Sequence, residues 1–379
     1  MKKTVLALAV ATTLAAPVVT QADTILYGSA RVSIDYIDED PINGYWDVVD
    51  NDSRLGVLGS EELGGGLSAI YQYEFGVDVT DGGNFNGNRP KFVGLRGGFG
   101  SLTVGTQESP YYHVTGITDT FNSSKSFGST AWLGGSLDGF TVNISSDRAS
   151  GGGALTRLSN SIYYATPDFN GFTGEAMLVL NGANNEPGYS DGIDMWNIAA
   201  KYSNGPFFAG VSYISLDGEK VSADIANNAV ASIDLDMDQW TVGLGYTAGP
   251  FSVGLIYEQG TLNEWGLLRD YTIDGRINGV RFNDVKFFPG ADDAQNWYLT
   301  ASYAFGNNTI RAAYGQLDTG ISRDFVGNTY DDKMDNYLVG YQYNFSKRTS
   351  VWAEYIGRRA DNILYGDQDA VSIGTRVDF

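Results

Sequence analysis

The sequence contains no cysteine and a single histidine, His113, among its 379 residues. Without cysteine no disulfide can stabilise the fold, so stability must come from a large core or from a closed sheet. A histidine-based catalytic triad has only one candidate residue, and a zinc site built from His and Cys ligands has none. The composition therefore argues against an enzyme, predicts no metal or other cofactor, and leaves His113 interpreted as a polar loop residue.

Long apolar runs are also missing beyond the N-terminus. Only residues 5–19 form such a run, whereas a membrane helix needs about 20 predominantly apolar residues. Met1-Lys2-Lys3, this apolar run and the small residue Ala22 have the parts of a secretory signal peptide. We therefore expect residues 1–22 to be removed and the exported chain to begin at Asp23, and any membrane crossing must use strands.

Basic residues are few. Loss of Lys2 and Lys3 leaves 22 basic residues against 45 acidic ones, a formal charge of −23, which argues against a nucleic-acid partner. Charged residues make up only 18% of the chain, fewer than a soluble acidic protein usually carries. The 49 glycines, 24 tyrosines and 19 phenylalanines against nine prolines instead suit many twisted strands with aromatic faces and close turns.

A period of two runs through much of the chain. From Leu26 to Tyr36, apolar or small residues at even numbers alternate with mostly polar residues at odd numbers, as in a strand with two unlike faces. Recurrences of this pattern predict sixteen strands at residues 24–36, 53–59, 67–75, 89–96, 101–107, 158–166, 172–181, 194–203, 207–216, 237–248, 251–260, 296–305, 309–318, 335–345, 349–357 and 370–379.

The predicted connections alternate between short turns and long loops. This asymmetry, together with the even strand count, is typical of an outer-membrane barrel, which has short turns at one rim and long loops at the other. A soluble sandwich or propeller also alternates, but it need not sort its loops by length. The sequence therefore predicts an all-β fold, a sixteen-stranded antiparallel transmembrane β-barrel.

One connection, residues 108–157, is far longer than a usual loop. It contains aromatic residues such as Tyr111, Phe121 and Trp132, which disordered segments rarely have. We expect this third long loop to fold into the lumen and to narrow it. A surface excursion, or an extra strand pair around residues 140–146, is the alternative.

Several stretches, taken together, resemble the general porins of Gram-negative bacteria. They are Leu26-Tyr27-Gly28, Ser53-Arg54-Leu55-Gly56, the turn at residues 59–67, the hairpin at residues 92–100, Asn160-Ser161-Ile162-Tyr163-Tyr164 with residues 167–172, and the terminal Phe379. The resemblance covers residues 23–379. It implies a homotrimer in the outer membrane, with lipid and lipopolysaccharide around it, and a barrel-insertion machinery that reads Phe379 as an assembly signal.

The resemblance also implies a constriction in which acids of the third loop face a basic ladder on the wall. Alternation by itself places Arg31, Arg54, Arg89 and Arg376 on polar faces, and Lys91 shares the parity of Arg89. The loop acids expected to face this basic wall are Glu108 and Asp119; Asp119-Thr120-Phe121 resembles an Asp-Pro-Phe of the family. Alternatively, the arginines only pair with lumen acids such as Glu74. The eyelet charge stays open, because Tyr163 and Tyr164 stand where relatives often carry an arginine.

Three functions remain open at this point. The first is a water-filled channel for passive diffusion of small hydrophilic solutes and ions, with a mild preference for cations. The second is a porin tuned to one solute class, such as oligosaccharides, which an aromatic path along the lumen would favour. The third is a secreted soluble β-protein, which would not depend on detergent.

Overall fold

The computed structural model describes residues 23–39, 42–82, 85, 89–122, 155–180, 193–216, 221–226, 229–233, 237–260, 272–277, 280–286, 294–323, 329–361 and 366–379. The expected signal peptide, residues 1–22, and most of the segment 108–157 lie outside these residues. The boundaries assigned to both therefore stay predictions.

Strands make up nearly all of the described chain. They are β1 (Asp23–Glu39), β2 (Ile42–Asp50), β3 (Arg54–Gly64), β4 (Leu67–Gly76), β5 (Lys91–Gly97), β6 (Gly100–Glu108), β7 (Arg157–Ala165), β8 (Phe172–Leu180), β9 (Ile193–Asn204), β10 (Phe207–Leu216), β11 (Val221–Ala226), β12 (Ala229–Ile233), β13 (Met237–Ala248), β14 (Phe251–Gly260), β15 (Thr272–Ile277), β16 (Val280–Lys286), β17 (Ala294–Phe305), β18 (Asn308–Arg323), β19 (Thr329–Asn344), β20 (Thr349–Asp361) and β21 (Gln368–Asp378).

These strands close into a sixteen-position antiparallel barrel. Each wall strand pairs with the next along the chain, and β21 pairs with β1 over eleven residues, from Ser29–Asp378 to Glu39–Gln368. Strands β2 and β3 share one position, because β2 pairs with the second half of β1 and β3 with its first half. The predicted fold class is confirmed.

Two features differ from the sequence analysis. The second wall strand begins at Ile42 rather than at residue 53, because a break at residues 51–53 interrupts its alternation; Asp52 lies there in the left-handed region with φ of 65°. In addition, β11, β12, β15 and β16 form a separate four-stranded sheet within connections that were expected to be loops. Their short runs lack the length of a wall strand.

The two faces of the wall meet different surroundings. On β1, Leu26 and Ile34 are 64% and 55% exposed on the outer face, whereas Ser29, Ser33 and Asp35 on the inner face are buried. The outer face continues round the barrel as exposed apolar side chains, among them Val93, Val211, Leu244, Leu299, Val339 and Ile373. Such a band is what a strand needs in order to sit in lipid.

Aromatic side chains cluster beside the short turns. Ring pairs join neighbouring strands there, with centroids 4.3 Å apart for Phe172–Tyr202 and 4.6 Å apart for Phe251–Tyr303. Gly205 and Gly249 take positive φ in two of these turns, a conformation that other residues adopt at a cost. The rings form one of the aromatic girdles that mark a membrane interface.

A short helical segment lies inside the wall. Helix α1 (Pro110–Thr115) is capped by Ser109, whose hydroxyl accepts a hydrogen bond from the backbone N–H of Tyr112. A 3₁₀ turn (Gly116–Thr118) follows the helix. Both contact the inner face of the wall, α1 from β8 to β13 and the turn from β13 to β17. Within the described residues, no helix is long and apolar enough to cross a membrane.

The C-terminal residue completes the closure. Phe379 and Gly28 exchange two backbone hydrogen bonds of 3.0 and 3.1 Å, one step beyond the paired residues of β1 and β21. The Phe379 ring lies directly over Gly28, where a Cβ atom would stand 2.3 Å from Cζ of the ring and 2.9 Å from the carbonyl oxygen of Arg54. Any residue larger than glycine at position 28 would therefore require the Phe379 ring or the backbone at Arg54 to move.

We predict that Gly28→Ala lowers the stability of the folded barrel, because overpacking of this kind costs about 1–3 kcal/mol. The measurement is the urea midpoint of the detergent-folded protein, followed by tryptophan fluorescence and by mobility on unheated gels. Gly98→Ala is the matched control, since nothing lies within 4 Å of the added methyl group. Equal midpoints for the two variants would show that the Phe379 seam does not limit stability.

Candidate functional site

Three predicted wall arginines lie side by side on the inner face. Arg31 on β1 is the register partner of Arg376 on β21, and Arg54 on β3 pairs with Ser29, two residues before Arg31. The charges of Arg54 and Arg376 both act on Arg31. The sequence analysis placed these three residues on one wall, and the register brings them together across the barrel seam.

The three arginines differ in how they are paired. Arg376 Nε donates to both carboxylate oxygens of Asp378 at 2.9 Å, and Arg54 Nε lies 3.8 Å from Glu74 Oε2. Arg31 Nε donates to Ser29 Oγ at 3.0 Å, and within the described chain no carboxylate oxygen comes within 4.0 Å of its side chain. Of these three arginines, Arg31 is therefore the one that no carboxylate of the described chain contacts.

Arg89 has a different role in the structure. Its Nη2 lies 2.8 Å from Asp52 Oδ1 and 3.1 Å from the Asp52 carbonyl oxygen, and its Nη1 lies 3.6 Å from Glu74 Oε1. The side chain is buried, with only 8% of its surface exposed. Arg89 thus ties the break between β2 and β3 to β4, which matches the alternative that a wall arginine only pairs with lumen acids.

Lys91 is placed on the other side of the wall, and its assignment to the lumen is wrong. Strand β5 starts at Lys91, so Arg89 precedes the strand and does not share its alternation. Lys91 pairs with Tyr73 and lies 4.8 Å from the centroid of the Phe75 ring, on the face that also exposes Val93. Lys91 was misplaced because the predicted strand began two residues before the observed one.

Of the two predicted loop acids, Asp119 lies in the segment inside the wall, directly after the 3₁₀ turn, and Glu108 is the last residue of wall strand β6. Asp119 is exposed to solvent and accepts a hydrogen bond of 3.1 Å from the Tyr112 hydroxyl. Its charge lies within reach of Arg31 and Arg157, and that of Glu108 within reach of Arg54 and Arg157. Burial, together with the negative charges of Asp119 and Glu108, raises the pKa of Tyr112 well above its usual range.

The start of the loop segment is fixed by buried polar contacts. The backbone N–H of Tyr111 donates to Asn197 Oδ1 at 2.8 Å, and its hydroxyl donates to Glu258 Oε1 at 2.6 Å. The Tyr111 ring packs in an apolar cluster with wall residues such as Met177 and Ile214. Segment 109–122 is therefore a fixed part of the inner wall rather than a free excursion.

The end of this segment is fixed on another part of the wall. Asn122 donates from its backbone N–H to Glu354 on β20 at 3.0 Å and from its side chain to Gln342 on β19 at 2.9 Å. Arg311 on β18 donates to the same Gln342 oxygen at 2.7 Å and lies 3.8 Å from Glu354 Oε1. Together they form a polar cluster that holds the segment 109–122 at its far end.

Sequence reasoning missed Arg311 and Glu354. Arg311 shares the inner parity of Ala313 and Leu317 on a strand that was predicted, so alternation could have added it to the basic wall. Glu354 also lies on a predicted strand, but nothing in the sequence pairs it with Asn122, which is 232 residues away.

His113 is more tightly held than a polar loop residue. Its Nδ1 lies 2.8 Å from Glu175 Oε2 on β8, and its Nε2 lies 3.7 Å from Glu108 Oε2. Burial would lower the pKa of His113, but the hydrogen bonds to Glu108 and Glu175 outweigh it and raise the pKa to about 9. The imidazole is therefore charged at neutral pH.

A barrel with a charged, loop-lined interior is the fold of a known family. The model of the family described as Gram-negative porin matches residues 6–362. The chain belongs to this family. The resemblance found in the sequence is thereby confirmed, and this porin is an outer-membrane protein.

Relatives and solved structures agree with this assignment. The chain is 28% identical to the major outer membrane protein P.IB of Neisseria gonorrhoeae over 383 residues, covering 96% of this chain and 97% of that protein. An anion-selective porin from Comamonas acidovorans is similar in fold, with a TM-score of 0.67 and 20% identity over 95% of this chain and 100% of that one. Salmonella typhi OmpF in complex with daunomycin is also similar in fold, with a TM-score of 0.63 and 17% identity over 94% of this chain and 97% of that one.

We predict that Arg89→Ala destabilises the barrel, because it leaves the buried Glu74 short of a cation. Breaking a buried ion pair costs about 3–5 kcal/mol, and we expect the low end because Tyr27 and Arg54 still face Glu74. The readout is the urea midpoint of the detergent-folded protein. Arg31→Ala is the matched comparison and is expected to lose less stability. A larger loss of stability in Arg31→Ala would reverse the roles assigned to the two arginines.

Proposed function

We propose that this porin forms a water-filled channel through which small hydrophilic solutes and ions diffuse passively across the outer membrane. The observation that supports the proposal is the proximity of positive and negative side chains in the interior of the barrel. Arg31 and Arg54 lie on the wall; Asp119, in the segment inside the wall, is within reach of the Arg31 charge, and Glu108, at the end of β6, is within reach of the Arg54 charge. We propose that segment 109–122, with the rest of the long loop, narrows the lumen at this level.

Such an arrangement acts through a field that crosses the pore. In a narrow passage, charges fixed in the wall are screened less than charges on an open surface. Dipolar solutes can orient in the field and ions interact with the fixed charges, whereas an apolar solute would have to displace ordered water without gaining any interaction. The channel should therefore sort solutes by polarity and size rather than by shape complementarity.

The charges next to the lumen, rather than the charge of the whole chain, set ion preference. Acidic residues in distant loops are screened within about 8 Å at physiological salt. At the level of the loop, the partly exposed Arg31, Arg54 and Arg376 are opposed by the exposed Asp119 and the partly exposed Glu108. We propose weak selectivity, because positive and negative charges partly cancel at this level; the mild cation preference expected from the acidic composition stays a prediction that the reversal potential tests.

Little in the lumen favours a sugar-specific porin. Among the described residues, the ring pairs lie on the outer face, apart from those of His113 with Tyr112 and Tyr163. An oligosaccharide path would need successive aromatic rings along the inner wall. General diffusion is therefore the better supported function.

We further propose a homotrimer surrounded by lipid and lipopolysaccharide. Vibrio cholerae OmpT, which is similar in fold with a TM-score of 0.61, has been solved in a trimer form. The terminal Phe379, exposed on the outer face beside Gly28, is proposed as the residue that the barrel-insertion machinery reads. Detergent extraction followed by sedimentation tests the trimer.

Replacing both Arg31 and Arg54 by alanine is expected to raise the cation preference of the pore, because two positive charges leave the wall while Glu108 and Asp119 remain. The measurement is the reversal potential in planar bilayers under a salt gradient, together with single-channel conductance. The double variant Arg359→Ala, Lys333→Ala is the control, because it also removes two positive charges, but away from the basic wall, where Arg359 binds Asp369 and Lys333 lies beside Asp318. A reversal potential that stays unchanged in the double variant would contradict the proposed basic wall.

Shortening the chain between Gly116 and Gly134 is expected to raise single-channel conductance, since this stretch belongs to the loop proposed to narrow the lumen. The barrel should still form, because no wall strand lies between these residues in the predicted pattern. Heat-modifiable mobility on gels checks folding, and conductance checks the pore. Unchanged conductance in a folded variant would place the loop outside the conducting path.

A further inference from the structure

The only histidine of the chain lies between two carboxylates on different strands. His113 on α1 lies 2.8 Å from Glu175 on β8 through Nδ1 and 3.7 Å from Glu108, the last residue of β6, through Nε2. These two strands are separated in the wall by β7, so the imidazole bridges across one strand. His113 thus links the end of β6, where the chain leaves the wall, to β8, which α1 contacts.

Among the described residues, the charged groups around His113 form one cluster. On β9, Lys201 binds the other oxygen of Glu175, and on β7 the Tyr163 ring meets the imidazole edge-on at 6.0 Å. Arg157, the register partner of Glu108 at the start of β7, and Arg54 also act on the charge of Glu108. Lys201 pairs with Glu175, and within the described chain the imidazole of His113 is the cationic group that comes within 4.0 Å of a Glu108 oxygen.

Glu108 is also one of the two acids proposed to face the basic wall. Its side chain is 39% exposed, whereas that of Glu175 is 5% exposed, so Glu108 is the carboxylate of the pair that ions in the lumen can approach. The protonation state of His113 therefore decides how much of the Glu108 charge the lumen presents.

We propose that His113 is a specificity-determining residue of the pore, which as an imidazolium offsets Glu108 and so restrains the passage of cations relative to anions. When the proton leaves, the lumen gains a net negative charge beside the loop, and cation preference rises. This inference rests on the proposed channel function and adds a named residue and a direction of change to it.

The pH range follows from the surroundings of the ring. Because Glu108 and Glu175 raise the pKa of His113 to about 9, the proton is held below that pH and lost as pH rises through it. We therefore expect selectivity to be flat between pH 6 and 8 and to shift towards cations above it.

The test is the reversal potential of the full-length, detergent-folded porin in planar bilayers under a potassium chloride gradient, measured from pH 6 to pH 10. The wild type should show a step towards cations near pH 9, with a change in permeability ratio of about threefold for one charge a few ångströms from the path. His113→Gln should be more cation-preferring at pH 7 and should lack the step. A step of equal size in both proteins would overturn the proposal.

Two further variants separate this residue from general effects of pH. Glu175→Gln removes one of the two carboxylates beside the imidazole and should move the step to lower pH by about one unit or more. Lys333→Gln is the matched control, since it removes one positive charge from β19 beside Asp318 and should leave the step in place. The proposal would also be overturned if the pH of the step were the same in Glu175→Gln as in the wild type, or if the step were absent in Lys333→Gln.

The outcomes distinguish this inference from the channel function itself. A folded protein that never conducts would remove the proposed function, whatever His113 does. A protein that conducts normally, with the same pH profile in wild type and His113→Gln, would leave the channel intact and remove the role of His113. Mobility on unheated gels confirms folding of each variant before it is measured.

Discussion

Backbone hydrogen bonding in lipid is the constraint on which this structure depends. A strand in the hydrocarbon layer has no water to satisfy its N–H and C=O groups, so a sheet can span the membrane only if its first and last strands pair. Here the pairing of β1 with β21 runs over eleven residues and is extended by the two hydrogen bonds between Gly28 and Phe379. Once the sheet closes, each strand has one face in lipid and one in the lumen, which forces the alternation seen along the chain.

The inner face is not uniform, and this explains where the loop segment lies. Ile256, Tyr298 and Leu338 point inward on the wall between β14 and β19, and Ile117 and Phe121 pack against their cluster. Each such side chain gains about 1.5–3 kcal/mol when it leaves water. The seam between β21 and β3 instead carries Arg31, Arg54 and Arg376. The segment therefore settles on the apolar side and leaves the basic side open to the lumen.

Features that repeat locally were predictable, and features that join distant residues were not. A period of two predicted the faces of β1 and with them the inner positions of Arg31 and Arg54. It failed at Lys91, because a period gives faces only within a strand, and Arg89 and Pro90 precede the strand that Lys91 starts.

Contacts between distant residues carry no comparable local signal. Asn122 meets Glu354 across 232 residues, and His113 meets Glu175 across 62, so neither pair shows a spacing that could be read in the chain. Alternation could have named Arg311 and Glu354 as inward residues, but their partnership with the loop follows from barrel curvature alone. The fold could thus be predicted almost whole, and the chemistry of the loop contacts only in part.

The two fastenings of segment 109–122 also have a mechanical consequence. Tyr111, near its start, bonds Asn197 on β9, and Asn122, at its end, bonds Glu354 on β20; these two strands lie seven strand-to-strand steps apart in a wall of sixteen positions. A hollow sheet can flatten under lateral pressure by bending at its hydrogen-bonded hinges, without breaking a bond. Segment 109–122 is hydrogen-bonded to the wall at both ends and spans nearly half of the circumference, so it resists such bending. The cross-section of the barrel should therefore keep its shape when the surrounding lipid is compressed.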